Sequence, residues 1–232
     1  MSETIAATRS VPFSELRGFP DLFRSYCSDF SAVRSYYAGD FRSEEERRKI
    51  ASRRAEAVDR SDALIEAVRD QQERWGLDDP TRRNLDRLAD PESVAVLTGQ
   101  QIGLFGGPLY TLYKAVTAIQ LADRIESETG RPSVPVFWMA GEDHDFEEIR
   151  EDGLIRRNDA RIVRYEPADS NGRKDGSAAG ESPENGGPGG PVGRMRAGTG
   201  VADLIDRLPE EMLETEFTEG LLDRLRDAYR PE

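Results

Sequence analysis

Val94-Ala95-Val96-Leu97-Thr98-Gly99-Gln100-Gln101-Ile102-Gly103-Leu104-Phe105-Gly106-Gly107-Pro108 decides the fold. The apolar run from Val94 to Thr98 fits a short strand buried on both faces, and a glycine-punctuated loop follows it. Pro108 suits the first position of a helix, because its missing N–H would have had no partner there. Leu109 to Thr129 then reads as a helix closed by Gly130, and Val134 to Met139 forms a second apolar strand. Strand, helix and strand in this order make a βαβ unit, whose crossover joins parallel strands. The expected core is therefore an open, Rossmann-like α/β parallel sheet.

Outward from that unit the chain divides into residues 1–90, an N-terminal helical region; 91–167, the α/β core; 168–191, a flexible insertion; and 192–232, a continuation of the core with further helices. Residues 1–42 carry scattered aromatics and read as short helices pinned onto something larger. Ser43 with Glu46 forms an S-x-x-E capping box, and Glu44 to about Trp75 reads as one long, mostly exposed helix stopped by Gly76. A second helical piece covers Thr81 to Leu88. Beyond the βαβ unit, Asp145 to Arg150 opens a short helix or turn, and Ala160 to Tyr165 adds a strand. Residues 168–191 are so rich in Gly, Pro, Ser and charge that little there could offset the entropy of ordering. Val192 to Ala197 is expected as a strand, and Val201 to Leu208 and Phe217 to Tyr229 as amphipathic helices.

Composition removes several function classes. Thirty-two basic residues against 45 acidic ones give a net charge of -13, a field that repels nucleic acid. No apolar segment approaches the ~20 residues of a membrane span, and the N-terminus lacks the pattern of a signal peptide. The one cysteine, Cys27, can form no internal disulfide, which fits a cytoplasmic location. Lys49, Lys114 and Lys174 are the lysines; every other fixed cation is arginine.

Two segments could carry chemistry. Thr98 to Pro108 lies where a strand hands over to a helix, the place at which α/β sheets bind ligands. Its glycines let the backbone approach an anion, the helix start offers N–H groups, and Gln100 and Gln101 supply amides. The spacing matches neither G-x-G-x-x-G nor the phosphate loop, and a tight turn needing glycine is the alternative reading. On the helix, Leu112, Val116 and Ile119 share one side, with Tyr110, Lys114 and Thr117 roughly opposite. A lysine kept in an arginine-rich chain suggests a compact charge for a phosphate or carboxylate partner, or else an ordinary solvated side chain. The second segment, Ala140-Gly141-Glu142-Asp143-His144-Asp145-Phe146-Glu147-Glu148, holds the one histidine. Flanking carboxylates would fix its tautomer and suit it to proton exchange or anion binding. Asp145 with Glu148 also forms a D-x-x-E cap. His144 and Glu148 could share a helical face as ligands, but two are too few to name a metal, and no metal site is assigned.

Val96 to Ala115 followed by Val134 to Glu148 resembles the signature of the bacillithiol biosynthesis cysteine-adding enzymes, and Pro191-Val192-Gly193-Arg194 is also similar to that family. The resemblance implies a Rossmann-like core with helical insertions, and a long coiled coil associated with homodimerisation. It implies a ligase that forms an amide between cysteine and the amine of glucosaminyl malate. Activating a free acid calls for a nucleotide such as ATP, although no ATP motif is recognisable. By position, Thr98, Gly99, Gln100, Gln101, Gly103, Gly106, Gly107, Tyr113 and Lys114 would line a substrate or nucleotide crevice, with Asp143, His144 and Asp145 handling protons. Family members are roughly twice this length, so the expectation is an N-terminal portion that stops before the C-terminal half and coiled coil. The competing expectations are a non-catalytic anion- or nucleotide-binding module and an inactive structural fragment.

Overall fold

The computed structural model describes residues 10–57, 61–156, 158–166, 190–195 and 200–230. Most of the expected insertion, residues 168–189, lies outside them, as do residues 196 and 197 of the strand expected at Val192 to Ala197. The chain forms two compact units, Met1–Ala95 with Ala122–Val134, and Val96–Leu121 with Pro135–Glu232.

The first unit is mainly helical. It holds α1 (Asp21–Ser28) between two 3-10 turns, then α2 (Glu44–Ala57), α3 (Asp62–Trp75) and α4 (Asp79–Leu88). Three glutamates open α2 and Arg54 closes it, each complementing the helix dipole. Ser43 accepts the Glu46 N–H at 3.3 Å as a cap should, but the Glu46 carboxylate turns away from Ser43 to Arg34 and the Asp40 N–H, both at 2.6 Å. The expected single helix from Glu44 to Trp75 is in fact two. Ser61 accepts the Leu64 N–H at 3.3 Å and so starts α3 afresh, since a serine bonded to nearby backbone competes with helix continuation. Asp78 caps α4 in the same way, accepting from Thr81 at 2.8 Å.

Arginine forks hold this unit together. Arg47 of α2 grips Glu128 near the end of α5 (Leu109–Thr129), one of its bonds being 3.0 Å long, with both side chains largely but not fully buried. Arg87 pairs with Glu126, whose carboxylate also accepts the Ser133 N–H at 3.2 Å, and Arg131 pairs with Glu92. The planar guanidinium suits such two-pronged contacts. Ser93 and Ser133 are buried where β1 (Val94–Gln101) and β2 (Ser133–Ala140) begin, and the Val94 N–H donates to the Pro132 carbonyl at 2.8 Å.

The second unit carries the rest of β1, α5 and β2. Gly99 of β1 lies against Trp138 of β2. Residue 94 meets 132 and residue 99 meets 138, so the two strands advance together, and the neighbouring strands of this sheet are parallel as the sequence predicts. After the short α6 (Phe146–Ile149), β3 (Glu151–Ile155) and β4 (Ala160–Arg164) form an antiparallel pair in which Gly153 faces Ile162. β3 is a strand that the polar sequence Glu-Asp-Gly-Leu-Ile does not advertise. Val192 to Arg194 is a 3-10 turn rather than the expected strand, because the Met195 N–H returns to the Val192 carbonyl at 3.1 Å. The helices α7 (Gly200–Glu211) and α8 (Thr218–Ala228) bury Ile205, Leu208 and Leu222 with Val163, Tyr165 and Leu104. Among the described residues no helix is long and apolar enough to cross a membrane.

The Arg47–Glu128 pair is the anchor most open to test. The arginine holds the Glu128 carboxyl below its ordinary value of 4.5, so the pair's contribution is complete above that pH and is lost as pH falls through the lowered value. Glu128→Gln is expected to lower stability at neutral pH by about 1.5–3 kcal/mol in urea unfolding, as for a charged hydrogen bond. The gap between variant and parent should narrow in acid; a gap that stays constant to pH 3 would sever it from ionisation.

Candidate functional site

The glycine loop between β1 and α5 is stiffly held. Phe105 stands at φ 55°, a left-handed conformation unusual for a side chain of its size, and Gly106 and Gly107 follow with φ 97° and 78°. The N–H groups of 105, 106 and 107 donate to the Tyr229 hydroxyl at 3.0 Å, the Gly103 carbonyl at 3.2 Å and the Leu104 carbonyl at 2.9 Å. These three N–H groups are thus committed within the protein rather than turned to an anion. Leu104 is buried in the core, which roots the loop between its glycines.

Lys114 reaches back from α5 to the end of β1. Its ammonium donates to the Gln100 side-chain oxygen at 2.7 Å and the Gly99 carbonyl at 3.3 Å, and lies 5.0 Å from the centre of the Tyr110 ring. The Gln100 amide in turn donates to the Tyr110 hydroxyl at 3.1 Å. No carboxylate among the described residues pairs with Lys114, in contrast to Lys49, which sits 2.5 Å from Glu45.

Gln101 joins the two sequence segments, its side-chain amide donating to one oxygen of Asp143. The other oxygen of Asp143 accepts the N–H groups of His144 at 2.6 Å and Asp145 at 3.2 Å. The Gln101 bond first, then these two backbone donors, hold the Asp143 carboxyl below its usual range. Asp145 accepts the Glu148 N–H at 3.1 Å and caps α6, which realises the D-x-x-E reading. The His144 imidazole is exposed and makes no hydrogen bond among the described residues. The turn is also pinned from behind. The Val192 N–H donates to the Asp143 carbonyl at 2.7 Å and the Gly193 N–H to the Gly141 carbonyl at 2.8 Å, so the 190–195 segment crosses the turn backbone to backbone.

A cavity of about 330 Å³ opens beside the loop. Gln100, Gln101, Gly103 and Gly107 of the expected crevice line it, with Tyr110 and Pro108. Its opposite wall is the start of the β3–β4 pair, including Glu151, Asp152 and Ile162. Burial pushes the Asp152 carboxyl above its ordinary value. Thr98, Gly99, Gly106 and Tyr113 do not line the cavity, and Tyr113 is 63% exposed; Lys114 acts on it through Gln100. Asp143, His144 and Asp145 lie off the cavity, tied to it by Gln101. Sequence reading missed Asp152 and Tyr229, since neither sits in a motif and both arrive from distant elements. Gly193 belongs to the Pro191–Arg194 step, which is similar to the family, but its contact with Gly141 is visible only in the fold. Among the described residues no group of three or more His, Cys, Asp or Glu side chains could hold a metal ion.

A side chain at Gly193 would place its Cβ 2.8 Å from the Gly141 carbonyl oxygen. Gly193→Ala should therefore cost about 1–3 kcal/mol, as overpacking does. In thermal unfolding it should lower the midpoint more than Gly153→Ala, where the added Cβ meets nothing within 4 Å. Equal midpoints would mean that the crossing yields without cost.

Comparison with known proteins places these segments in context. Residues 7–232 match the family model described as the bacillithiol biosynthesis BshC N-terminal Rossmann-like domain. A protein of Salinibacter ruber named "Putative cysteine ligase BshC" is 42% identical over 230 residues, covering 99% of this chain and 39% of the relative. Relatives with the same name in Heliobacterium modesticaldum and Prosthecochloris aestuarii are 58% identical over 84 residues (35% of this chain, 15% of the relative) and 29% identical over 224 (94% and 37%). The chain thus spans well under half the length of these relatives.

Proposed function

Because this chain belongs to the BshC family, matching its N-terminal Rossmann-like domain, we propose that it supplies the substrate crevice of a cysteine ligase of bacillithiol biosynthesis. The reaction joins the cysteine carboxyl to the amine of glucosaminyl malate as an amide. Such a step needs an activated carboxyl, for which a nucleotide such as ATP is the expected co-substrate, and a group to take a proton from the attacking amine. The observation that carries the reading is the Gln101–Asp143 bond, which joins the glycine loop to the histidine turn at one end of the parallel strands.

In this reading the roles divide by what each side chain is already doing. Gln100, Gln101, Gly103 and Gly107 form the wall against which substrate lies, and Lys114 fixes Gln100 while bringing a positive charge with which no carboxylate among the described residues pairs. Thr98, Gly99, Gly106 and Tyr113 frame that wall. His144 carries the proton, since its imidazole is left open, whereas Asp143 accepts from the Gln101 amide and two backbone N–H groups and Asp145 from the Glu148 N–H, and so they orient the turn that bears it.

Thermal unfolding with glucosaminyl malate, cysteine and ATP added separately tests the crevice, because a ligand that binds only the folded state raises the midpoint. Glucosaminyl malate at a hundredfold excess over its Kd should add about 2.7 kcal/mol of stability. That gain should vanish in Lys114→Ala and persist in Lys49→Ala. A full gain in Lys114→Ala would remove Lys114 and Gln100 from the site.

A further inference from the structure

The loop that lines the cavity contains one residue in a conformation it would not choose. Phe105 at φ 55° costs free energy on its own, and such strain persists only where surrounding structure over-determines it. What determines it here comes from the far end of the chain. Tyr229 follows α8 at its C-terminal end, and its hydroxyl accepts the Phe105 N–H at 3.0 Å across 124 residues of sequence. The two rings meet edge to face, 6.0 Å apart at 80°. Phe105, Leu225 and Tyr229 all pack on the core that buries Leu104 and Leu222. The Tyr229 N–H donates to the Leu225 carbonyl at 2.9 Å, so the ring is carried by the last turn of the helix rather than by a loose tail.

We propose that Tyr229 is a positioning residue of the crevice, which holds Phe105 left-handed through its hydroxyl and thereby sets the loop whose glycines line the cavity; its bearing on ligand rests on the crevice reading above. Burial pushes the phenol above its ordinary value, against the lowering effect of the Phe105 N–H, so the acceptor is a neutral hydroxyl at pH 7. Without the bond, the Phe105 N–H loses its acceptor, and only the Gly106 and Gly107 bonds and the burial of Leu104 are left to oppose relaxation of the turn and of the spacing between Gly103 and Gly107.

Tyr229→Phe keeps the ring and removes the acceptor. Hydrogen exchange of the Phe105, Gly106 and Gly107 amides in the ligand-free chain reads the loop directly. Exchange at Phe105 should accelerate about five- to tenfold, the fold-change of one hydrogen bond, with Gly106 and Gly107 following. Glucosaminyl malate, titrated by calorimetry, should bind several-fold more weakly. Leu225→Ala is the control: it thins the same packing without touching the loop N–H groups, and should lower the unfolding midpoint while leaving loop exchange and affinity unchanged at 25 °C. Unchanged exchange in Tyr229→Phe overturns the proposal, as does loss of loop protection in Leu225→Ala equal to that in Tyr229→Phe. Accelerated exchange with unchanged affinity overturns the positioning role. If the parent chain binds no glucosaminyl malate, the crevice reading fails alone, and exchange still decides whether Tyr229 sets the loop.

Discussion

Close approach of β1 and β2 at their carboxyl ends is the constraint on which the candidate site depends. A Cβ on Gly99 would lie 2.7 Å from the Trp138 carbonyl oxygen, so the strands come this near only because residue 99 has no side chain. Parallel strands at that spacing must release their following loops side by side. Gln101 can then reach Asp143, and the charged acceptor turns a meeting of two loops into a fixed joint. His144 inherits its position from that joint, and so does the wall of the cavity.

The distribution of cations follows a similar division. In the first unit, arginines clamp glutamates from separate elements, and the near burial of Arg47 and Glu128 makes that clamp more consequential than an exposed pair. At the site the cation is a lysine, which donates to a carbonyl and an amide oxygen and rests on a tyrosine ring. A guanidinium is committed by its planar fork; an ammonium keeps a rotatable third proton.

Legibility followed the range of the interactions involved. β1, α5 and β2 were readable as elements because their apolar runs and Gly130 are local signals, and Gly130 indeed closes α5 with φ 72°; the burial of β1 on both faces expected from its apolar run is not realised, since Val94 and Val96 are buried while Leu97 is 65% exposed. The break between α2 and α3 was missed because the helix-forming composition on both sides outweighed one serine, although Ser61 is a capping residue in plain view. β3 was hidden because its partner β4, not its own polar sequence, makes it a strand. Of the site, the glycine loop and the histidine turn were readable as segments. Their joining through Gln101, the acidic wall at Asp152 and the Tyr229 contact are long-range, and no window of sequence contains them.

The crossing of Gly141 and Gly193 bears on how this chain can evolve. Two glycines in backbone contact have no smaller residue to retreat to, so a change at one cannot be compensated by a change at the other. A lineage that substitutes at either position must therefore draw one backbone away from the other, and the histidine turn, which the same segment also holds through the Val192–Asp143 bond, would move with it.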